Sequence, residues 1–322
     1  MNLMSGQTYQ KLEQLCSGLT SKQTILIDKI RDEISSNLPK YTKMTDFRKP
    51  VKKVETVFLK NVAHYTSEEQ MILKRALLAK LALRTPTIVE GMNLPVSILA
   101  LYPDAFVRLA DFLQSIGLDQ YDSTGEFFCK DIRFVLGLSI PCGVLVIDVV
   151  SSITLPSLIL SAFRSRDVKG IIRYAHAGGM GTWFRGHLDS RYVTEFNEHG
   201  FDNFYIRVAE LLKQNTNVRG YVGTSWLYDP QLLKISPHLA FFQERPPERG
   251  AFSLKHGTQP SDIAFAIKAS KNRSNLYKER KYIPVCYSSL WPRKELMTWA
   301  EKWRSENTIS TINSRQLNSH RF

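Results

Sequence analysis

Apolar residues recur at helical spacing through residues 1–90. Tyr9–Leu19 and Thr24–Leu38 are short amphipathic stretches, and a proline ends the second one. Ser67–Gln70 matches a capping box, in which the serine hydroxyl and the glutamine side chain satisfy opposite backbone amides. The helix behind it is apolar around most of its circumference until Thr85-Pro86 ends it, so we expect other elements to bury it.

From residue 91 onward, apolar runs alternate with amphipathic stretches. The predicted strands are Phe134–Ile140, Val144–Val150, Leu158–Phe163, Ile171–Tyr174, Val218–Trp226, Ala251–Lys255 and Tyr282–Ser288. The predicted helices are one that Asp104 caps, Val193–Gln214, Asp262–Arg280 and Arg293–Arg304. This order predicts an α/β or α+β fold, with a mixed sheet flanked by helices and preceded by a helical N-terminal region. We expect that helical region, with a basic linker at Lys40–Val54, over 1–90, and an α/β domain of catalytic type over 91–322.

The most apolar stretch, Phe134–Phe163, carries a single charge, Asp148. A membrane-spanning helix needs about 20 mostly apolar residues, whereas glycines and prolines interrupt this stretch, so buried strands are predicted instead. The start of the chain has neither a basic region nor an apolar run, so no signal peptide is expected. The 4 cysteines are scattered without a C-x-x-C pair, which indicates reduced thiols in a cytoplasmic protein.

The chain is strongly basic, with 43 Lys and Arg against 30 Asp and Glu and a formal net charge of +13. That balance favours an anionic partner, namely nucleic acid, a phosphorylated cofactor, an acidic carrier protein or a membrane surface. Part of the excess is local, in Lys40–Lys60 and Lys268–Lys281. A solvated basic surface without a ligand is an equally simple interpretation of either cluster.

The first candidate for chemistry is a glycine-rich segment with His176, Gly178, Gly179 and Gly181, placed after a predicted strand. Closely spaced glycines allow backbone N–H groups to converge on a phosphate or an oxyanion, because no Cβ blocks the approach. These four residues are therefore the predicted cofactor-binding set. The alternative is a glycine-rich turn with no ligand.

The second candidate, Trp183–Arg191, follows at once and crowds aromatic, basic, imidazole and carboxylate groups into one short segment. On a strand, His187, Asp189 and Arg191 would share one face. Asp189 is expected to orient His187 as a base, while Arg185 and Arg191 hold an anionic substrate. The alternative is a local pair of an aspartate with an arginine beside a helix cap.

The same His187-Leu-Asp189 matches the H-x-D half of a non-haem iron site, with His238 as a third ligand. That pattern resembles the 2-oxoglutarate oxygenases, which need a strand-rich jelly roll. Because Val193–Gln214 is predicted to be helical, no metal site is predicted. Trp226, near the end of a predicted strand, is expected to line a substrate crevice, since α/β sheets bind ligands there.

A third candidate is Ser270–Pro284, in which a basic helix carrying Asn272, Asn275 and Tyr277 leads into an extended segment. It resembles the late helix–strand unit of the GNAT acyltransferases, where an Asn and a Leu-Tyr pair precede the final strands. The resemblance implies that Tyr277 acts as general acid toward the departing coenzyme A thiolate. The phosphate loop of that family, R/Q-x-x-G-x-G/A, has its nearest counterpart in His176-x-x-Gly179-x-Gly181, with His in place of Arg or Gln. The resemblance covers the second half of the chain.

Two functions follow as expectations. The first is an acyltransferase-like enzyme with His187, Asp189 and Tyr277 as catalytic residues; acyl-CoA or an acyl carrier is its co-substrate, and no cofactor is tightly bound. The second is a basic protein that binds nucleic acid or an acidic regulatory partner without catalysis.

Overall fold

The computed structural model describes residues 2–36, 49–115, 126–151, 168–189, 195–255 and 258–319. Two compact units make up the chain. The first comprises Met1–Val150 and His187–Phe196, and the second comprises Ser151–Gly186 and Asn197–Phe322. The chain therefore leaves the first unit after Val150 and returns to it at His187.

The first unit is mainly helical and ends in a strand pair. Its elements are α1 Gly6–Ser17, α2 Ser21–Ser36, α3 Lys49–Val62, α4 Ser67–Glu90, α5 Val96–Leu99, α6 Tyr102–Ser115, α7 Glu126–Val135, β1 Ser139–Pro141 and β2 Val146–Ser151, whose last residue begins the second unit. The strands β1 and β2 are antiparallel, with Ile140 opposite Ile147. The predicted helical N-terminal region is thus confirmed.

The central helix of this unit is α4, which packs against α1, α2, α6 and α7. Its capping box joins Thr66 and Glu69, one residue earlier than predicted. The helix also continues to Glu90 with Pro86 inside it, so the predicted end at Thr85-Pro86 was wrong. The Thr85 hydroxyl is buried and donates to the Val135 carbonyl at 2.8 Å, which ties this turn to α7. Packing on every side compensates for the one backbone hydrogen bond that the proline removes.

The basic segment Lys40–Val54 was predicted to be a linker, but its last part belongs to a helix. The helix α3 begins at Lys49, and its buried residues lie at helical spacing: Val51, Val54, Phe58 and Val62. The lysines between them lie on the outer side of the helix, which explains why the segment looked polar. Residues 40–48 lie outside the described part of the chain.

The second unit contains a mixed sheet with helices around it. Its elements are α8 Val168–His176, β3 Thr182–His187, α9 Glu198–Gln214, β4 Val218–Ser225, α10 Leu232–Ile235, α11 Phe241–Glu248, β5 Phe252–Lys255, α12 Pro260–Lys268, α13 Lys271–Lys278, β6 Tyr287–Pro292 and α14 Arg293–Ser319. The strand order here is β3-β4-β6-β5. The pair β3–β4 is parallel, and the pairs β4–β6 and β5–β6 are antiparallel. The predicted mixed sheet flanked by helices is therefore confirmed.

Three predicted strands differ from the structure. Of Tyr282–Ser288, only Tyr287 and Ser288 belong to a strand, which is β6. Ile171–Tyr174 lies inside the helix α8, and only the end of Phe134–Ile140 is extended, because α7 runs to Val135. Short apolar runs have no period that separates a buried helix turn from a strand, which explains these last two differences. Leu158–Phe163 lies outside the described residues. Among the helices that are described, none is long and apolar enough to cross a bilayer.

A glycine fixes the closest backbone contact in the sheet. Gly220 in β4 lies opposite Pro292 of β6 and has a φ of +153°, which side-chain-bearing residues rarely adopt. A Cβ at this position would lie 2.3 Å from the Trp291 carbonyl oxygen and 2.9 Å from the Trp183 ring. Neither the backbone of β6 nor a fully buried indole can move aside at low cost.

Gly220→Ala is therefore expected to destabilise the second unit by about 2 kcal/mol or more, because strain and overpacking add. Urea or thermal unfolding followed by tryptophan fluorescence measures this. Gly6→Ala is the control, since a Cβ there meets nothing within 4 Å. Equal unfolding midpoints for Gly220→Ala and the parent protein would contradict the packing described for β4 and β6.

Candidate functional site

The candidate site in the first unit is a histidine paired with a buried carboxylate. His187 is the last residue of β3, and its Nε2 lies 2.9 Å from Oδ2 of Asp148 in β2. The Asp148 side chain is fully buried, whereas 23% of the His187 side chain remains exposed. A buried carboxylate behind a partly exposed imidazole is the arrangement that orients a general base.

Two further groups hold the other carboxylate oxygen. Arg133 in α7 places Nη2 3.1 Å from Asp148 Oδ1, and the Ser139 hydroxyl in β1 donates to the same oxygen at 2.5 Å. The Arg133 side chain is as completely buried as that of Asp148. Burial of a single charge costs several kcal/mol, so the carboxylate is stable here only because a cation and a hydrogen-bond donor accompany it.

These contacts set the charge of the pair. Burial raises the pKa of Asp148, but His187, Arg133 and Ser139 together lower it more, so the pKa lies below its ordinary value of 3.8. Asp148 is therefore ionised at neutral pH. Because Nε2 is the ring nitrogen that faces the carboxylate, Nδ1 is the nitrogen of His187 that is left for other contacts.

Asp189 was predicted to orient His187 by sharing its strand face. The strand ends at His187, so strand alternation does not extend to Asp189. The Asp189 side chain is buried and lines a cavity of about 70 Å³ in the same unit. Ser139 also lines it, together with apolar residues: Ala105, Leu109, Phe134, Pro141, Val144, Leu145 and Val146. Arg108, Lys130 and Asp131 line it as well, and Lys130 donates to the Leu188 carbonyl at 2.7 Å. A cavity of this size holds several water molecules or a small apolar group.

The glycine-rich segment lies in the second unit and follows a helix instead of the predicted strand. Gly178 N–H donates to the Ala175 carbonyl at 3.2 Å. Gly179 N–H donates to the Tyr174 carbonyl at 2.8 Å, and both glycines have a positive φ. This pair of bonds is a Schellman motif, which ends α8. Gly181 N–H donates back to the Gly178 carbonyl at 3.1 Å.

These bonds correct the role expected for the glycines. All three amides are used inside the turn, and the turn lies at the carboxyl end of α8, where the helix dipole repels anions. The missing side chains instead give room to Arg219. A Cβ on Gly178 would lie 2.7 Å from Arg219 Cδ, and a Cβ on Gly181 would lie 2.8 Å from Arg219 Cγ.

The other predicted residues are distributed along the second unit, apart from Arg191, which lies outside the described residues. Arg185 is half-buried in β3, opposite Val222 of β4. Trp226 follows β4, and the Arg273 guanidinium lies 4.7 Å from the centre of its ring. Tyr277 is half-buried in α13. His187 and Asp189 thus belong to one unit, and the remaining described candidates belong to the other.

Sequence reasoning missed three members of the His187 cluster: Arg133, Ser139 and Asp148. One signal was available, because Asp148 is the single charge in a long apolar stretch and a buried charge needs partners. Its partners could not be identified, since they lie on other elements. Within the described residues, no group of three or more His, Cys, Asp or Glu side chains is placed to hold a metal ion.

No protein-family model matches the chain, and neither does any curated protein. Among solved structures, an acyltransferase in complex with decanoyl-CoA is similar with a TM-score of 0.47 and 13% identity, over 82% of this chain and 76% of that one. An acyltransferase in complex with decanoyl-CoA and teicoplanin is similar with a TM-score of 0.45 and 9% identity, over 87% of this chain and 99% of that one. An acyltransferase in complex with CoA and 10C-teicoplanin is similar with a TM-score of 0.38 and 9% identity, over 86% of this chain and 98% of that one. Similarity this weak carries no argument about function.

The buried cluster predicts a specific dependence of stability on pH. Asp148→Asn is expected to cost about 3 kcal/mol or more at pH 7, because Arg133 would remain buried without its counter-charge. The folded-state pKa of Asp148 is lowered, so its stabilising effect is complete above the unfolded value and is lost as pH falls below about 4. The difference between parent and variant should therefore shrink in acid.

Unfolding midpoints in urea between pH 7 and pH 3 measure this difference. Asp104→Asn is the control, since Asp104 is an exposed carboxylate of the same unit. A difference between Asp148→Asn and the parent that stays constant down to the lowest pH would contradict the assignment of an ionised Asp148.

Proposed function

We propose that the protein transfers an acyl group from a CoA or carrier thioester to a nucleophilic acceptor, with His187 as the general base. The observation that carries the proposal is the 2.9 Å contact between His187 Nε2 and the buried Asp148 carboxylate. A histidine that a buried carboxylate orients has the arrangement of a general base. The acceptor is an amine or a hydroxyl group, the nucleophiles that such a base activates.

The surroundings of the pair favour acyl transfer among the reactions that need a base. Ser139 donates to Asp148 and also lines the apolar cavity of about 70 Å³. A short acyl group or the first carbons of a longer one fits such a cavity, because apolar surface is stabilised when it leaves water. Asp189 lies at the same cavity and is proposed to orient the acceptor.

The reaction conserves every atom of the thioester and the acceptor. The acceptor N–H or O–H gives its proton to His187 Nδ1 as the nitrogen or oxygen forms a bond to the thioester carbonyl carbon. Collapse of the tetrahedral intermediate breaks the carbon–sulfur bond and releases the thiolate. That thiolate takes its proton from solvent, and the proton on His187 then leaves to solvent. Asp148 stabilises the imidazolium while it exists.

The same proposal includes the acyl donor and the cellular compartment in which the protein acts. Acyl-CoA is the preferred donor, as a co-substrate that is released after each turnover, and an acyl carrier protein is the second source of the same thioester. The described cysteines are Cys16, Cys129, Cys142 and Cys286, and all four are free thiols. Free thiols are typical of proteins in the reducing cytoplasm, which is the proposed compartment.

His187→Gln is expected to lower the rate of acyl transfer by about 10²- to 10⁴-fold, because the base is lost while the shape of the site is kept. The assay follows release of free CoA thiol from short and medium acyl-CoA donors with a panel of amine and hydroxyl acceptors. His199→Gln is the matched control, since His199 is exposed on α9 and contacts Asn203. Its rate should equal that of the parent protein.

Equal activity of His187→Gln and the parent protein would refute the catalytic role of His187. The competing function, a basic protein that binds nucleic acid, gives a different result in a second measurement. DNA or RNA affinity that falls steeply with salt, together with no thiol release from any donor, would replace the enzyme hypothesis.

A further inference from the structure

A cavity of about 430 Å³ lies in the second unit, at the amino ends of the parallel strands β3 and β4. Val218, the first residue of β4, and Pro292, the last residue of β6, form part of its wall. Cavities of about 300 to 1,000 Å³ are typical of small-molecule sites. The proposed base, His187, is not among the residues that line this cavity.

Positive charge dominates the lining of this cavity. Arg173, His176, Arg219, Arg293 and Lys294 contribute basic side chains, and Glu295 is the single acidic one. Within the described part of the chain, no carboxylate forms an ion pair with any of the four arginine and lysine side chains. Like charges that share a concave surface repel one another, and a bound anion would remove that repulsion.

Two of these cations are held in place by other contacts. Arg293 donates to the Asn215 carbonyl at 2.9 Å, and burial lowers its pKa. The Arg173 guanidinium lies 4.6 Å from the centre of the Phe252 ring. Cations that are positioned before the ligand arrives lose little conformational entropy on binding, which is the condition for a specific anion site.

The glycine-rich turn contributes to the same cavity through its missing side chains. Gly178 and Gly181 give room to the methylene groups of Arg219, and His176 at the end of α8 lines the cavity. The turn supports a cationic side chain, whereas its own amides are used internally. Anion recognition by this segment would therefore proceed through side chains.

We infer that this cavity binds a phosphorylated small molecule with two or more negative charges, through Arg173, Arg219 and Lys294. One arginine guanidinium donates two parallel hydrogen bonds to phosphate oxygens, and a lysine ammonium adds a compact positive charge. These three side chains therefore suit a diphosphate or a nucleotide. The phosphates of the acyl donor and a separate nucleotide are the two sources of this chemistry. Binding of the donor's phosphates rests on the proposed function, whereas binding of a separate nucleotide does not.

Calorimetric titration of the full chain with pyrophosphate tests the site directly. The double substitution Arg173→Gln with Lys294→Gln is expected to weaken pyrophosphate binding by at least about tenfold, since two charge-assisted contacts are lost. The matched control is Lys271→Gln with Lys278→Gln, which removes the same charge from exposed positions on α13. It should bind like the parent protein, and thermal unfolding checks that both variants fold.

Failure of pyrophosphate to bind the parent protein, or an equal loss in both double variants, would overturn the inference. Competition between ADP and CoA then identifies the source. If CoA displaces ADP and the cavity variant weakens both, the donor's phosphates occupy the cavity. If CoA binds while ADP is bound, the occupant is a separate nucleotide-like ligand. Thiol release that depends on His187 is measured independently, so failure of this site leaves the acyl-transfer proposal standing.

Discussion

The buried carboxylate of Asp148 is the constraint on which the candidate site depends. A charge with no exposed surface is tolerated only if cations and donors surround it, and Arg133, Ser139 and His187 meet that requirement. These groups lie in α7, in β1 and at position 187, so three separate parts of the first unit's sequence converge on the same two oxygen atoms. The requirement also fixes the imidazole, because His187 cannot rotate away without leaving Asp148 Oδ2 without that contact.

The proposed orientation of His187 as a base and the stability of the first unit therefore depend on one interaction. The His187 side chain is the partly exposed member of the cluster, while Arg133 and Asp148 are fully buried. Arg133 supplies a permanent counter-charge, so the buried carboxylate does not depend on His187 alone for a partner.

Elements with a local apolar pattern could be predicted from the sequence. Contacts between residues that are far apart in the chain could not. The strand β4 and the helix α4 were predicted because their apolar residues repeat over many positions. Ile171–Tyr174 was mistaken for a strand because a run of four residues, three of them apolar or aromatic, has no distinctive period, although the following glycines are those of a helix end. The same distinction holds for the residues of the candidate site. His187 was identified from its crowded neighbourhood, whereas Arg133 and Ser139 are ordinary residues in the sequence and gain meaning only through contact with Asp148.

The glycine-rich segment shows the same limit of a local pattern. Three glycines close together indicate either amides that face a ligand or a backbone that must turn sharply beside another group. Here the amides close the turn at the end of α8, and the space left by the absent side chains is filled by the stem of Arg219. A positive φ at Gly178 and the close approach at Gly181 are consequences of that packing. Glycine spacing alone cannot distinguish the two cases, because the deciding contact comes from β4, far along the chain. The proposed anion site therefore depends on the guanidinium that the turn supports, and the dipole of α8 opposes any anion bound to the turn itself.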